Sequence, residues 1–287
     1  MNIEEALRCE QGLSIACDSD PGLWNLIQAE REWALYGDAC DPLSLTAPEH
    51  ALKTVERDIY LEIWGDPLSR IAEAARVMVA GGGTGRFAQV LSQRGFHVEL
   101  VDASPEAVRR ARLHLGESVP ATVGDLSRPD TLARGAYDLL LAVEVACYAT
   151  DPSRIMRHLR AAMKPGGIVL FSVEARPGAL LADRDLTSPK AVQAVLDDGV
   201  ITLPGLKHVH YYTREEASEL ATTAGLSVLD VVGVCYVPDG PFGSLVDAGR
   251  LNDPSHVEQV RELERRCRSQ PILRELPRAW AVAAVAA

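Results

Sequence analysis

The sequence has no Cys-x-x-Cys pair, and its six cysteines, at positions 9, 17, 40, 147, 235 and 267, are scattered through 287 residues. Such spacing suits neither a zinc site nor a disulfide framework, so buried free thiols are expected and no metal. Lysine is scarce: Lys53, Lys164, Lys190 and Lys207 are four of 29 basic residues, and arginine supplies the rest. Positive charge is lacking overall, because 29 Lys+Arg face 40 Asp+Glu and leave a net charge of −11. A chain that neutralises many phosphates needs the opposite balance, which argues against nucleic acid and anionic lipid as partners. No run of about 18 apolar residues occurs, and the apolar stretch 279–287 is too short to span a bilayer. The first residues carry Glu4 and Glu5 and lack a basic-then-apolar leader, so a cytoplasmic location is expected. Internal repeats and low-complexity tracts are absent as well. What is present is 47% apolar and 24% charged residues, the balance of one large globular domain or of a domain with an elaborate cap.

Residues 1–70 read as a helical cap. Leu23–Tyr36 is apolar on more than one side and ends at Gly37-Asp38. Thr46-Ala-Pro-Glu49 has the form of a capping box opening a helix, with Leu52, Val55, Ile59 and Ile63 at helical spacing and Gly65-Asp-Pro67 as its stop. Trp24, Trp33 and Trp64 all lie here, so this segment needs an apolar surface to cover. From Arg76 onward, strands alternate with helices. Strands are expected at 77–80, 98–101, 121–123, 137–143, 168–173, 228–234 and 279–286, the last as an edge strand. Ser104 with Pro105 marks one helix start, and Thr213-Arg-Glu-Glu216 is a second capping box. Residues 175–212 and 239–276 interrupt this rhythm as insertions. Runs apolar on both faces, alternating with helices, predict an α/β fold with a mostly parallel sheet covered on both sides.

Gly81-Gly-Gly-Thr-Gly85 lies between the first strand and its helix, where a tight turn lets a ligand approach the backbone at a helix N-terminus. Two registers fit. Gly81-x-Gly83-x-Gly85 matches the S-adenosylmethionine (SAM) pattern, and Gly83-x-Gly85-x-x-Ala88 matches the dinucleotide pattern, with Asp102 placed for a ribose. The glycines do not separate them.

The stretch VMVAGGGTGRFAQVLSQRGFHVELVDASPEAVRRAR resembles the first motif block of class I SAM-dependent methyltransferases. Gly124-Asp125 after the third strand, YDLLLAVEV at 137–145 and Lys164-Pro-Gly-Gly167 before the fifth follow in that family's order. A dehydrogenase has no reason to carry the last elements. The resemblance covers about residues 71–235 and returns at the final strand. It implies a doubly wound, seven-stranded Rossmann-like domain over 71–287 behind the cap of 1–70. It also implies that Gly81, Gly83 and Gly85 lie against the methionine and ribose of SAM. Asp102, with Ala103 beside it, would accept hydrogen bonds from the ribose diol, Asp125 would receive the adenine amino group, Leu126 would face the ring, and Ala142 would lie under the sulfonium. One position departs from the pattern. The family places an acid two residues before the first glycine, and here that residue is Val79, so backbone carbonyls near Ala80 and Ala142 or another acid, Glu144 being nearest in sequence, must hold the SAM ammonium.

Acceptor-side chemistry is expected above the carboxyl ends of the strands. His208-Val-His210-Tyr211-Tyr212 is the densest polar group there; in an extended segment both imidazoles share one side, and either is suited to proton removal near neutral pH. Two histidines with no third ligand make a poor zinc site. Glu144 in an otherwise apolar run is a base, an ammonium holder or the partner of an arginine, and Arg176 either binds an acceptor carboxylate or pairs with Glu174. Two function classes follow. The first is methyl transfer to a small molecule in bacterial specialised metabolism, with His210, His208, Glu144 and Tyr211 as catalytic candidates. The second is a SAM-binding enzyme that does not methylate, for which the absent acid leaves room. A catalytically silent subunit is opposed by the intact glycine and aspartate set. The expected partner is a small molecule, not nucleic acid or membrane, and a homodimer is compatible with the sequence.

Overall fold

In the computed structural model, residues 21–183, 185–203 and 207–287 are described, with Gly22, Leu23 and Trp24 described by backbone alone. The expectations placed on residues 1–20, on Cys9 and Cys17 and on the Trp24 side chain fall outside these residues. The strands are β1 (Arg76–Ala80), β2 (His97–Asp102), β3 (Ala121–Val123), β4 (Tyr137–Val143), β5 (Met163–Glu174), β8 (Leu226–Val234) and β9 (Ala279–Ala286) in one sheet, with β6 (Val200–Leu203) and β7 (Lys207–His210) forming a separate hairpin. The large sheet runs β3-β2-β1-β4-β5-β9-β8, parallel from β3 to β5, with β9 antiparallel to both neighbours. This is a doubly wound sheet with its order reversing between β1 and β4, the place where such sheets open a crevice at their carboxyl edge.

The strand β9 is not at the edge. It lies between β5 and β8, and β8 takes the outer position. AWAVAAVA is apolar on both faces, as an interior strand must be, and all its residues but Val285 are buried.

The helices are α1 (Pro21–Tyr36), α2 (His50–Ile63), α3 (Gly65–Ser69), α4 (Arg86–Gln93), α5 (Pro105–Leu115), α6 (Pro152–Ala162), α7 (Arg176–Ala182), α8 (Pro189–Asp198), α9 (Arg214–Thr223) and α10 (Pro254–Ser269). Alternation along β1 divides the core. Val77 and Val79 face α2, α4 and α5, where Tyr60, Trp64, Phe87, Leu91 and Val108 are buried. Met78 and Ala80 face the other layer, with Met156, Leu159 and Ala217 from α6 and α9.

Two of the three helix starts expected from capping residues are realised. Ser104 Oγ accepts Ala107 N–H at 2.9 Å with Pro105 at the first position, and Thr213 and Glu216 complete both arms of their capping box. Thr46 does not cap α2: its hydroxyl bonds Ser44 at 3.0 Å, successive turns carry the chain to His50, and Glu49 caps without a side-chain bond.

The second insertion packs α10 against the chain after β8. Glu264, fully buried, accepts the N–H groups of Tyr236 (2.9 Å) and Val237 (3.1 Å) at Oε2, while Oε1 accepts no hydrogen bond from a described residue. Burial pushes its carboxyl up to about 7, with the backbone N–H groups and Arg268 pulling against it. A folded pKa above the unfolded one gives a contribution present in full below the usual carboxylate range and lost as pH rises towards 7. Glu264→Gln keeps one acceptor and gains N–H donors without a charge. Thermal unfolding from pH 5 to 8 is expected to show the wild type losing stability relative to this variant, by about 3 kcal/mol at most. A constant difference across that range would contradict the assignment.

Candidate active site

The loop after β1 turns on three glycines in the left-handed region, Gly81 (φ 64°), Gly83 (φ 55°) and Gly85 (φ 102°). A Cβ on Gly81 would stand 2.4 Å from Val145 Cγ2, and one on Gly85 would stand 2.7 Å from Leu115 Cδ1. A Cβ on Gly83 would meet nothing within 4 Å, so this backbone is open to a ligand. Asp102, the last residue of β2, accepts Gly83 N–H at 2.8 Å on Oδ2 and Ser104 N–H at 2.9 Å on Oδ1. Burial pushes its carboxyl above its ordinary value, the backbone N–H groups of Ser104, Gly83 and Ala103 opposing that. Each oxygen retains a lone pair, the acceptor pair a vicinal diol requires. Ala103 follows, half-buried. Beyond β3, exposed Asp125 makes a turn by accepting Ser127 N–H at 2.8 Å, and Leu126 is buried beside it. Ala142, at the end of β4, is buried in the core under this crevice.

Helix α1 crosses the same edge. Near its middle Glu30 accepts the Ser104 hydroxyl and the Glu106 N–H (3.3 Å), beside Asp102. Nearer its N-terminus, Asn25 donates to Tyr148 O (3.0 Å) and His208 O (2.7 Å) and accepts His208 N–H (2.8 Å). The helix thus fastens the β6–β7 hairpin to the loop after β4 and the start of α5. Of its aromatics, Trp33 lies under Arg110 (5.1 Å), and Tyr36 is exposed.

The carboxyl edge also carries a buried charge cluster. Because β9 is antiparallel, its first residue Ala279 pairs with Glu174 at the end of β5, which brings Arg278 to the ligand-bearing edge. Arg278 holds Glu144 in a two-pronged pair (2.7 and 2.9 Å) and reaches Glu174 at 3.3 Å. Tyr60 donates to Glu144 at 2.9 Å and Tyr148 to Glu174 at 2.8 Å. Burial would raise the Glu144 carboxyl, but the Arg278 guanidinium outweighs it and holds the group well below the usual carboxylate range. Burial prevails at Glu174, which lies above that range. Glu144 itself has φ 55°, a strained backbone for a residue with a Cβ. Of the readings open for Glu144, partnership with an arginine is the one present.

Arg176 does not pair with Glu174. Its guanidinium goes to Glu216 (2.8 Å), since Glu174 is engaged by Tyr148 and Arg278. His208 and His210 do share one side of β7, with Nε2 atoms 3.2 Å apart, and His208 Nδ1 meets the Thr202 hydroxyl at 2.8 Å. Burial first, and His208 second, push His210 down to about 4. Tyr211 points elsewhere: it donates to Asp183, within the small core of α7, α8 and the hairpin. Among the described residues no three His, Cys, Asp or Glu side chains are grouped to hold a metal. Arg278, Tyr60, Glu56, Asn25 and Glu30 are site-edge residues that the sequence motifs did not indicate. The signal for Arg278 was a single arginine at the start of an eight-residue apolar strand.

The methyltransferase domain family matches residues 51–231. Ubiquinone biosynthesis O-methyltransferase of Xanthomonas campestris pv. campestris is 31% identical over 198 residues, covering 67% of this chain and 76% of its own length. Among solved structures, a SAM-dependent methyltransferase from Mesorhizobium loti superposes with TM-score 0.51 at 22% identity, over 77% of this chain and 96% of that one. The 1,6-didemethyltoxoflavin-N1-methyltransferase of Burkholderia thailandensis, solved with S-adenosylhomocysteine (SAH), superposes with TM-score 0.54 at 16% identity, over 93% and 90%. The chain belongs to the SAM-dependent methyltransferases. Its open Gly83 backbone and the spare lone pairs of Asp102 fit the methionine and ribose of that cofactor.

Proposed function

We propose that the chain transfers the methyl group of SAM to a hydroxyl oxygen of a small acceptor, with His210 taking the hydroxyl proton and His208 setting its tautomer. SAM supplies a methyl carbon activated on a sulfonium, whose thioether leaves without protonation. The protein must hold the acceptor oxygen about 3 Å from that carbon and accept a proton from it. The observation that carries this reading is the span of α1, which joins the Asp102 end of the crevice to the hairpin bearing the two histidines. With its pKa near 4, His210 is neutral at pH 7. Asn25 fixes the His208 backbone and the Thr202 hydroxyl engages its Nδ1, so the ring that meets His210 at Nε2 is held in place.

The O-methyl transfer named for the Xanthomonas relative supports oxygen as the acceptor atom. The net charge of −11 supports a small molecule over nucleic acid. No helix among the described residues is long and apolar enough to cross a membrane. Neither Glu144, held ionised by Arg278, nor Tyr211, bound to Asp183, takes the proton.

Incubation with SAM and a panel of hydroxylated small molecules, read by mass spectrometry, is expected to yield SAH and a methyl ether. Methylthioadenosine as the nucleoside product would refute methyl transfer. His210→Ala is expected to lower kcat about a hundredfold, to leave SAH affinity within about twofold, and to remove the acid limb of the rate profile near pH 4. An unchanged kcat would remove His210 from the reaction.

A further inference from the structure

We propose that Glu56 receives the ammonium group of SAM, replacing the acid that β1 lacks at Val79. This rests on SAM being the cofactor. The Val79 side chain is buried on the sheet face covered by α2, the helix that carries Glu56 and, one turn later, Tyr60. The carboxylate missing from the strand is therefore supplied on the same face by the helix that covers it.

Glu56 is fully buried, and its two oxygens differ. Oε2 takes Lys53 Nζ at 3.0 Å and Arg86 Nη1 at 3.1 Å. Oε1 accepts no hydrogen bond from any described residue, and Arg278 Nη1 stands 3.7 Å away, beyond bonding distance. An unsatisfied oxygen on a buried carboxylate is costly, and a bound cation with N–H groups removes that cost.

Position points the same way. Arg86 is the first residue after Gly85 and also donates to Lys53 O at 3.2 Å, which ties Glu56 to the end of the glycine loop. Tyr60 bonds Glu144 at the end of β4, and Gly81 lies against Val145, the next residue. Glu56 thus stands beside the span between the glycine loop and β4, where the methionine end of the cofactor lies.

Charge provides an independent argument. The cluster contains Glu56, Glu144, Glu174 and Asp239 against Lys53, Arg86 and Arg278, one carboxylate in excess. SAM, with a sulfonium, an ammonium and a carboxylate, brings one net positive charge. Glu144 and Glu174 already accept from Arg278 and from Tyr60 and Tyr148, so the oxygen of Glu56 is the one left for the new donor.

Titration calorimetry tests this with three ligands: SAH, SAH lacking only its amino group, and methylthioadenosine, which lacks the amino-acid end. Glu56→Gln is expected to weaken SAH about tenfold or more and to leave the other two within about twofold of the wild type. SAH binding unchanged in the variant would overturn the proposal, as would an equal loss for all three ligands, which marks a structural role. Should the variant not fold, a crystal structure of the wild type with SAH decides. The amino nitrogen within about 3.2 Å of Glu56 Oε1 upholds the assignment, and the same nitrogen held by Glu144 or by backbone carbonyls overturns it. Wild-type protein that bound none of the three ligands would instead refute the cofactor.

Discussion

Arg278→Met is expected to destabilise the protein by about 3–5 kcal/mol, the cost of removing one partner from a buried ion pair. Arg278 is largely enclosed and is the cation on which Glu144 and Glu174 converge, with Glu56 and Asp239 at longer range. Methionine fills the space and leaves Glu144 and Glu174 without their counter-ion. Replacing both sides together, Arg278→Met with Glu144→Gln and Glu174→Gln, is expected to recover much of the loss, because no uncompensated charge remains. The pH dependence separates this account from a simple packing defect. In the wild type the Glu144 carboxyl is depressed, so its contribution is present above the unfolded carboxylate value, near 4.3, and is lost as pH falls through the folded one. In the variant an unpaired buried carboxylate has its pKa raised, and its penalty grows as pH rises. The gap between wild type and variant in urea unfolding should therefore narrow from pH 7 towards pH 4. A gap independent of pH would show that lost volume, not lost charge, is responsible.

The same cluster marks where sequence reading stops. Gly81, Gly83, Gly85, Asp102 and Ser104 were legible because their interactions are local: Asp102 bonds Gly83 and Ser104 across one loop and one turn. The strand–helix alternation was legible because the inner parallel strands β1, β4 and β5 carry runs apolar on both faces. The position of β9 was not, since nothing in an apolar run says between which strands it inserts. Arg278 went unseen for the same reason; only the antiparallel insertion beside β5 brings it 134 residues back to Glu144. Glu56 carried a readable sign. It falls within the apolar stripe of α2, three residues before Ile59 and four after Leu52, where a charged residue needs a buried partner. Glu174 and Arg176 are two residues apart and suggested each other as partners, yet tertiary placement gave Glu174 to Arg278 and Arg176 to Glu216.

The central claim is that the ribose of SAM is held by Asp102 at the carboxyl edge of β2. Two hydroxyls donating to one carboxylate are each worth about 1.5 kcal/mol, and their loss predicts an affinity about a hundredfold weaker. Asp102→Ala also releases the Gly83 and Ser104 N–H groups, so the variant is paired with a change in the ligand. Calorimetric titration of wild type and Asp102→Ala with SAH and with 2′-deoxy-SAH isolates the contact. The account predicts that the deoxy ligand binds the wild type about tenfold more weakly than SAH does, and that the variant no longer distinguishes the two. A variant that still prefers SAH by the wild-type ratio would contradict it.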